Sequence, residues 1–242
     1  MNQTIRELKD RKSVRVFEDK PIPSEYINAI LESAVNAPTA GNQQLYTIIN
    51  VTDKTLKEQL AESCDHQSFI ATAPLVLVFC ADCRKWYQAF LEFDCEPRTP
   101  GVGDLMLAVS DTNIAAQNAV VAAHSLGIGS CYIGDIMENA EEQRRILSLP
   151  SYVFPAAMLV FGYPTKQQLE RTKPQRADIQ YIVHENGYRD MDKEELKEML
   201  SAKNNTREFE DWLQAFCNRK YNSDFSREMT RSVQVFLEDF AQ

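Results

Sequence analysis

The sequence predicts an α+β fold, and three observations lead there. The run Pro74–Ala81 is apolar at almost every position, as a strand covered on both faces would be. Asp104–Leu126 is the longest helical stretch. It is apolar around most of its circumference, through Leu105, Met106, Leu107, Ile114, Ala115, Val120 and Val121, the pattern of a buried central helix. Around these two, about four strands and eight helices follow one another without regular βα alternation. The 242 residues suffice for one large core, or at most two small ones.

Taken in order, Thr4 with Glu7 is a capping-box pattern that predicts a helix from Ile5 to about Asp10. Arg11-Lys12-Ser13-Val14-Arg15 leaves it. Pro21-Ile22-Pro23 is a rigid connector, and Ser24 reads as the N-cap of a helix with Ile27, Ile30, Leu31, Ala34 and Val35 on one stripe, ending before Pro38. The turn Pro38–Gln44 is rich in amide side chains, and a strand over Leu45–Val51 follows. Asp53–Ser63 and Arg84–Phe93 read as helices, and Cys95–Gly103, with two prolines and two glycines, as a loop. Gly127 caps the central helix. A strand at Gly129–Ile133, a charged helix at Asn139–Leu149 and an apolar strand at Ala156–Gly162 complete the core. Helices at Asp192–Ala202, Arg207–Arg219 and Phe225–Phe240 close the chain with little core-forming material. Residues 1–166 therefore form the expected core of a single domain, and residues 167–242 an extension that wraps the core or a neighbour.

Composition narrows the function. A net charge of −9 argues against a general nucleic-acid footprint. No apolar run reaches the ~20 residues of a bilayer span, and the polar start MNQTIRELKD has no secretory apolar region. The expectation is a soluble, cytoplasmic protein whose six cysteines are reduced. Cys80-Ala-Asp-Cys83 has CxxC spacing, but no second CxxC exists, and Cys80 closes an apolar strand, so both read as structural.

The chemistry-bearing pieces are few. There is no phosphate loop, no nucleophile elbow, no HExxH zinc helix and no GxGxxG, and the three histidines are scattered. An enzyme built this way needs a bound cofactor to carry its reaction. If the backbone is extended at Arg11–Arg15, alternation sets Arg11, Ser13 and Arg15 on one face and Val14 and Val16 on the other. Two guanidinium forks and a hydroxyl suit a phosphate monoester. Asn42, Gln43 and Gln44 offer amides for a polar ring edge, and Gly129–Gly134 is a strand end of small residues that a ligand can approach closely.

The order and spacing of these pieces resemble the FMN-dependent nitroreductase-like flavoenzymes, in their oxygen-insensitive NADPH nitroreductase and flavin reductase branch. The matching segments are Arg11–Arg15, Ala37–Gln44, Gln67, Asp111–Gln117, Leu126–Gly129, Tyr132-Ile133-Gly134, Phe161–Pro164, Lys173–Arg176 and Val183–Tyr188. The resemblance implies a mixed sheet flanked by helices, an intertwined homodimer and two FMN sites at its interface. It places Arg11, Ser13 and Arg15 on the ribityl phosphate with Lys12 nearby, and Lys173 and Arg176 adding charge. It has Thr39, Asn42 and Gln44 reach the flavin from the partner subunit, Gln67 meet the ring edge, and Tyr132, Ile133 and Gly134 line the ring. Two departures stand out: Arg176 falls one residue later than is usual, and Asp135 replaces a common glycine. No catalytic side chain and no metal ligand is implied. The implied function is ping-pong hydride transfer from NADPH or NADH through FMN to a small nitroaromatic, quinone or free flavin. The alternatives are a dehalogenase-type flavoenzyme and a flavin-holding sensor without turnover.

Overall fold

The computed structural model describes residues 1–201, 203 and 207–241. Its α-helices are α1 Gln3–Asp10, α2 Ser24–Val35, α3 Lys54–Ser63, α4 Ser68–Thr72, α5 Arg84–Glu92, α6 Val102–Ser125, α7 Ala140–Leu147, α8 Lys166–Glu170, α9 Lys193–Ser201, α10 Phe209–Lys220 and α11 Asp224–Leu237. The strands are β1 Tyr46–Asn50, β2 Leu75–Asp82, β3 Gly129–Ile133 and β4 Val153–Gly162. They form one sheet in the order β1-β2-β4-β3. All three strand pairs are antiparallel, so the four-stranded sheet is antiparallel, and the parallel element of the expected mixed sheet is only an isolated bridge between Ser13 and Ser130 outside these strands. The register shifts between Phe79 and Cys80, where Pro155 faces Cys80. A proline has no N–H for the ladder, and a bulge absorbs that gap.

Every residue of β2 and β4 is buried. Alternation along β2 explains how: Leu75, Leu77 and Phe79 pack with Ile30 and Ala34 of α2 and Ala115, Ala119 and Ala123 of α6. Val76, Val78 and Cys80 point the other way, into a second core with Leu60, Ile70, Ile146, Phe236 and Phe240.

Four local readings change. Asn2, not Thr4, caps α1, accepting from the Ile5 N–H at 3.0 Å. Ser24 is the first residue of α2, and Pro23 occupies the cap position. The central helix is buried mainly along an alanine face, whereas Met106, Leu107 and Ile114 are 60%, 53% and 41% exposed. Lastly, the end of the chain does supply core: Phe236 stacks edge-on against Phe154 at 5.2 Å, and Phe240 against Tyr152 at 5.5 Å. Phe236 near the end of α11 and Phe240 in the 3-10 turn after it anchor an otherwise polar segment through their rings. The final residue of the expected helix Asp192–Ala202 lies outside the described residues.

The chain divides into two compact units, Met1–Arg171 with Glu228–Gln242, and Thr172–Arg227. The stretch beyond residue 166 is thus shared between both. All six cysteines are free. Burial pushes the Cys80 and Cys83 thiols up to about 12, which makes them unreactive packing groups. No helix among the described residues is long and apolar enough to cross a membrane.

Candidate functional site

The segment after α1 is fixed by backbone before any side chain is considered. The Val14 N–H donates to the Ser130 carbonyl at 2.9 Å and the Glu18 N–H to the Tyr163 carbonyl at 2.8 Å, with Phe17 bridged to Pro164. The chain here crosses the ends of β3 and β4 as an extra strand. Two glycines permit the approach. A Cβ on Gly129 would stand 2.7 Å from Val14 Cγ2, and one on Gly162 would stand 2.6 Å from Phe17 Cγ. Both distances are too short for any side chain, so the segment lies on bare backbone.

Val14 is buried while Val16 is 47% exposed, so the expected two-sided alternation holds at Val14 and fails at Val16. On the polar side the structure brings Arg11, Ser13 and Arg15 together around Cys131. Burial raises the Cys131 thiol, and Arg15, the Ser13 hydroxyl, Arg11 and Arg171 all oppose it. Arg171 is the member that sequence reasoning missed; its guanidinium donates to the Ser13 carbonyl. Its position two residues before Lys173 was the available signal. Neither Arg11, Arg15 nor Arg171 forms an ion pair among the described residues. Lys12 behaves differently. Its ammonium donates to the carbonyls of Leu169, at 2.6 Å, and Arg171, where the end of α8 presents unpaired oxygens.

The amide turn is organised by a residue quoted in the sequence motif but given no role there. Asp111, on α6 and only 3% exposed, accepts from the Thr39 hydroxyl, from the Ala40 N–H at 3.0 Å and from the Leu45 N–H at 3.3 Å. Thr39 Oγ1 in turn accepts from the Gln44 N–H at 2.8 Å. These bonds hold Gly41, Asn42 and Gln44 at positive φ, where a free chain would not stay. The Gln44 amide turns back to the Val35 carbonyl at 3.1 Å, while the exposed Asn42 faces outward. Gln67 occupies the cap position before α4, its amide donating to the Cys64 carbonyl at 2.8 Å.

At the far end of β3, Ile133 is buried and Tyr132 is half-exposed. Burial pushes the Tyr132 phenol up to about 12 against the pull of Arg11, and it donates to Gln117 Oε1 at 3.3 Å. Gly134 opens a short 3-10 turn, and a Cβ there would meet nothing within 4 Å. Its backbone is therefore open to a ligand. Lys173 and Arg176 belong to the second unit.

The Nitroreductase family model matches residues 8–163, and the chain belongs to that family. The NAD(P)H FMN reductase of Bacillus subtilis is 32% identical over 242 residues, covering 98% of this chain and 92% of that protein. The oxygen-insensitive NADPH nitroreductase of Salmonella typhimurium is 35% identical over 197 residues, covering 81% and 79%. Among solved structures, NfrA2 of B. megaterium superposes with a TM-score of 0.83 at 31% identity, covering 99% and 98%.

Proposed function

We infer that the protein is an FMN-dependent oxidoreductase that passes hydride from NADPH or NADH to a small electron-poor acceptor. The observation that carries this reading is the group Arg11, Arg15 and Arg171 around Ser13, cationic, without an ion-paired carboxylate among the described residues, on a segment hydrogen-bonded to the ends of β3 and β4. Three guanidinium groups and a hydroxyl fit a dianionic phosphate. The open backbone at Gly134, with Tyr132 and Ile133 before it, fits a flat ring, and Asn42 and Gln67 supply amides for its polar edge. When bound, FMN supplies the hydride relay between donor and acceptor. The protein binds, orients and excludes water; the backbone N–H groups after Gly134 and the nearby arginines stabilise negative charge. Lys12 serves this site indirectly, by holding the end of α8 and so Arg171. For Lys173 and Arg176 as further cations for the phosphate, the support is the family resemblance of the segment Lys173–Arg176 alone.

The reading includes a cytoplasmic homodimer. Its support is the apolar surface that one chain leaves open: Met106, Leu107 and Ile114 on α6, with Ile5 and Leu8 on α1, are all more than 40% exposed. Thr39, Asn42 and Gln44 would then complete the partner's flavin site.

Purified protein is expected to be yellow, and anaerobic NADPH to bleach it within the mixing time. Colour that NADPH leaves unchanged would mean a flavin-holding module without turnover. Colourless protein that takes up no FMN would overturn the reading altogether.

A further inference from the structure

Just past the far end of β3, Glu138 is enclosed without a partner. It is 6% exposed, and its Oε1 accepts no hydrogen bond. The Glu138 N–H donates to the Asp135 carbonyl at 3.0 Å, closing the 3-10 turn that opens at Gly134. The next residue, Asn139, stands at φ 51°. Its N–H is bonded to Glu228 Oε1 at 3.2 Å and its amide to the Ser63 carbonyl at 2.9 Å. Bonded backbone on either side thus holds the Glu138 side chain in the interior.

The charges around it are of one sign. Asp135 on the turn, Asp65 after α3 and Glu228 on α11 all act on it. The Cys64 thiol, which Asp135 and Glu138 both act on, is fully buried and neutral. β4, packed on the turn, brings no titratable side chain. The cations of the neighbouring elements are committed elsewhere: Arg231 to Glu141 and Glu228, Arg144 to Asp239, and His66 to Glu62. No three acidic, histidine or cysteine side chains among the described residues are arranged to hold a metal ion. A carboxylate so enclosed is neutralised by a proton.

The place of Glu138 in the fold ties that proton to the ring. Asp135 follows Gly134, whose open backbone is assigned to the flavin. Cys64 and Asp65 precede Gln67, assigned to the ring edge, and the Cys64 carbonyl receives the Gln67 amide. Glu138 therefore adjoins both segments, and a charge on it is felt at the ring they line.

We propose that Glu138 is a redox-linked proton site, binding a proton from solvent when NADPH delivers hydride to the ring and releasing it when the acceptor takes the hydride. The proposal rests on the flavin reading above. The hydride carries two electrons and adds one negative charge at the ring; the solvent proton removes one at Glu138. Both are given up again when the acceptor is reduced. The coupling is reciprocal: an ionised Glu138 makes reduction less favourable, and reduction makes the proton bind more tightly. Glu138 is neutral in acid and ionises as pH rises through about 7, so the penalty on reduction appears on the alkaline side.

The test measures the midpoint potential of the FMN-loaded protein against pH, by equilibration with reference dyes. It compares the wild type with Glu138→Gln, whose amide imitates the protonated acid. Between about pH 5 and about pH 9 the wild type should fall further than the variant by about 30 mV, the two-electron equivalent of a tenfold change in proton affinity. A difference that stays constant over that range would overturn the proposal. If Glu138→Gln does not fold, the wild type alone decides. Reduction at about pH 8 should add a protonated-carboxyl band to its infrared difference spectrum, and the absence of that band would overturn the site. Failure of the flavin reading looks different, because the wild-type protein would then take up no FMN at any pH.

Discussion

Along the first half of β3, three arginines gather round Ser13 and Cys131 without an ion-paired carboxylate among the described residues. Just past the other end of the same strand the charges reverse. Glu138 is only 6% exposed, one of its carboxylate oxygens has no hydrogen-bond partner, and Asp135, Asp65 and Glu228 all face it. Burial first, then these three carboxylates, raise Glu138 from its ordinary value of 4.5 to about 7. Arg15, by contrast, is exposed. The short stretch from Cys131 to Glu138 separates a region that keeps its charges near water from one that removes charge by holding a proton. Burial decides which course a polar cluster takes: exposed cations need little desolvation to meet a phosphate, whereas an enclosed carboxylate without a partner is neutralised.

The strongest challenge to this contrast removes the backbone platform of the cationic end. Gly162→Ala would force its Cβ into Phe17, and Gly129→Ala into Val14. Each should cost about 2–3 kcal/mol of stability in chemical denaturation, in the range of overpacked cores, and should weaken FMN retention as well. Arg15→Ala should leave the fold intact and weaken FMN binding about ten- to a hundredfold, measured by fluorescence titration, because each charge-assisted bond contributes about 1.5–3 kcal/mol. Unchanged affinity would remove Arg15 from the site. Arg171→Ala belongs to the same experiment and should add to the loss.

At the acidic end the expected effect is on pH dependence. The native state holds the Glu138 proton more tightly than the unfolded chain does. That contribution is complete below about pH 4.5 and is lost as pH rises through about 7. Glu138→Gln should therefore remove about 2 kcal/mol of the wild-type decline in stability between pH 5 and 8. Identical slopes in the two proteins would mean that Glu138 is ionised throughout. The smallest effect belongs to Lys12. Lys12→Met should cost about 1 kcal/mol of stability through the lost bonds to the Leu169 and Arg171 carbonyls. Its effect on FMN affinity should be weaker than that of Arg15→Ala. If the two variants lose flavin equally, Lys12 touches the phosphate after all.

Much of the fold was legible because periodicity reports burial. The apolar run at β2 announced a strand covered on both faces, and Gly127 ends α6 with φ 75° as a helix cap should. The exposed side of α6 was not legible, since Met106, Leu107 and Ile114 look the same in sequence whether they face a core or an open surface. The core role of the last helix was missed because Phe236 and Phe240 are two rings among many charges. Asp111 stood in a quoted motif, yet its task of holding the 39–45 turn depends on bonds to residues about seventy positions away.

By itself, the sequence determined the chemical inventory: a cationic cluster at Arg11–Arg15, an amide turn, a small-residue strand end and no catalytic-triad motif. It also determined the family, because short motifs in a fixed order survive where overall identity falls. Only the tertiary structure decided which charges stand together. It drew Arg171 in beside Ser13, turned Lys12 to the end of α8, and enclosed Glu138 among carboxylates. Each of these is a meeting of residues distant along the chain, and what a charge does depends on the dielectric and the partners it finds there.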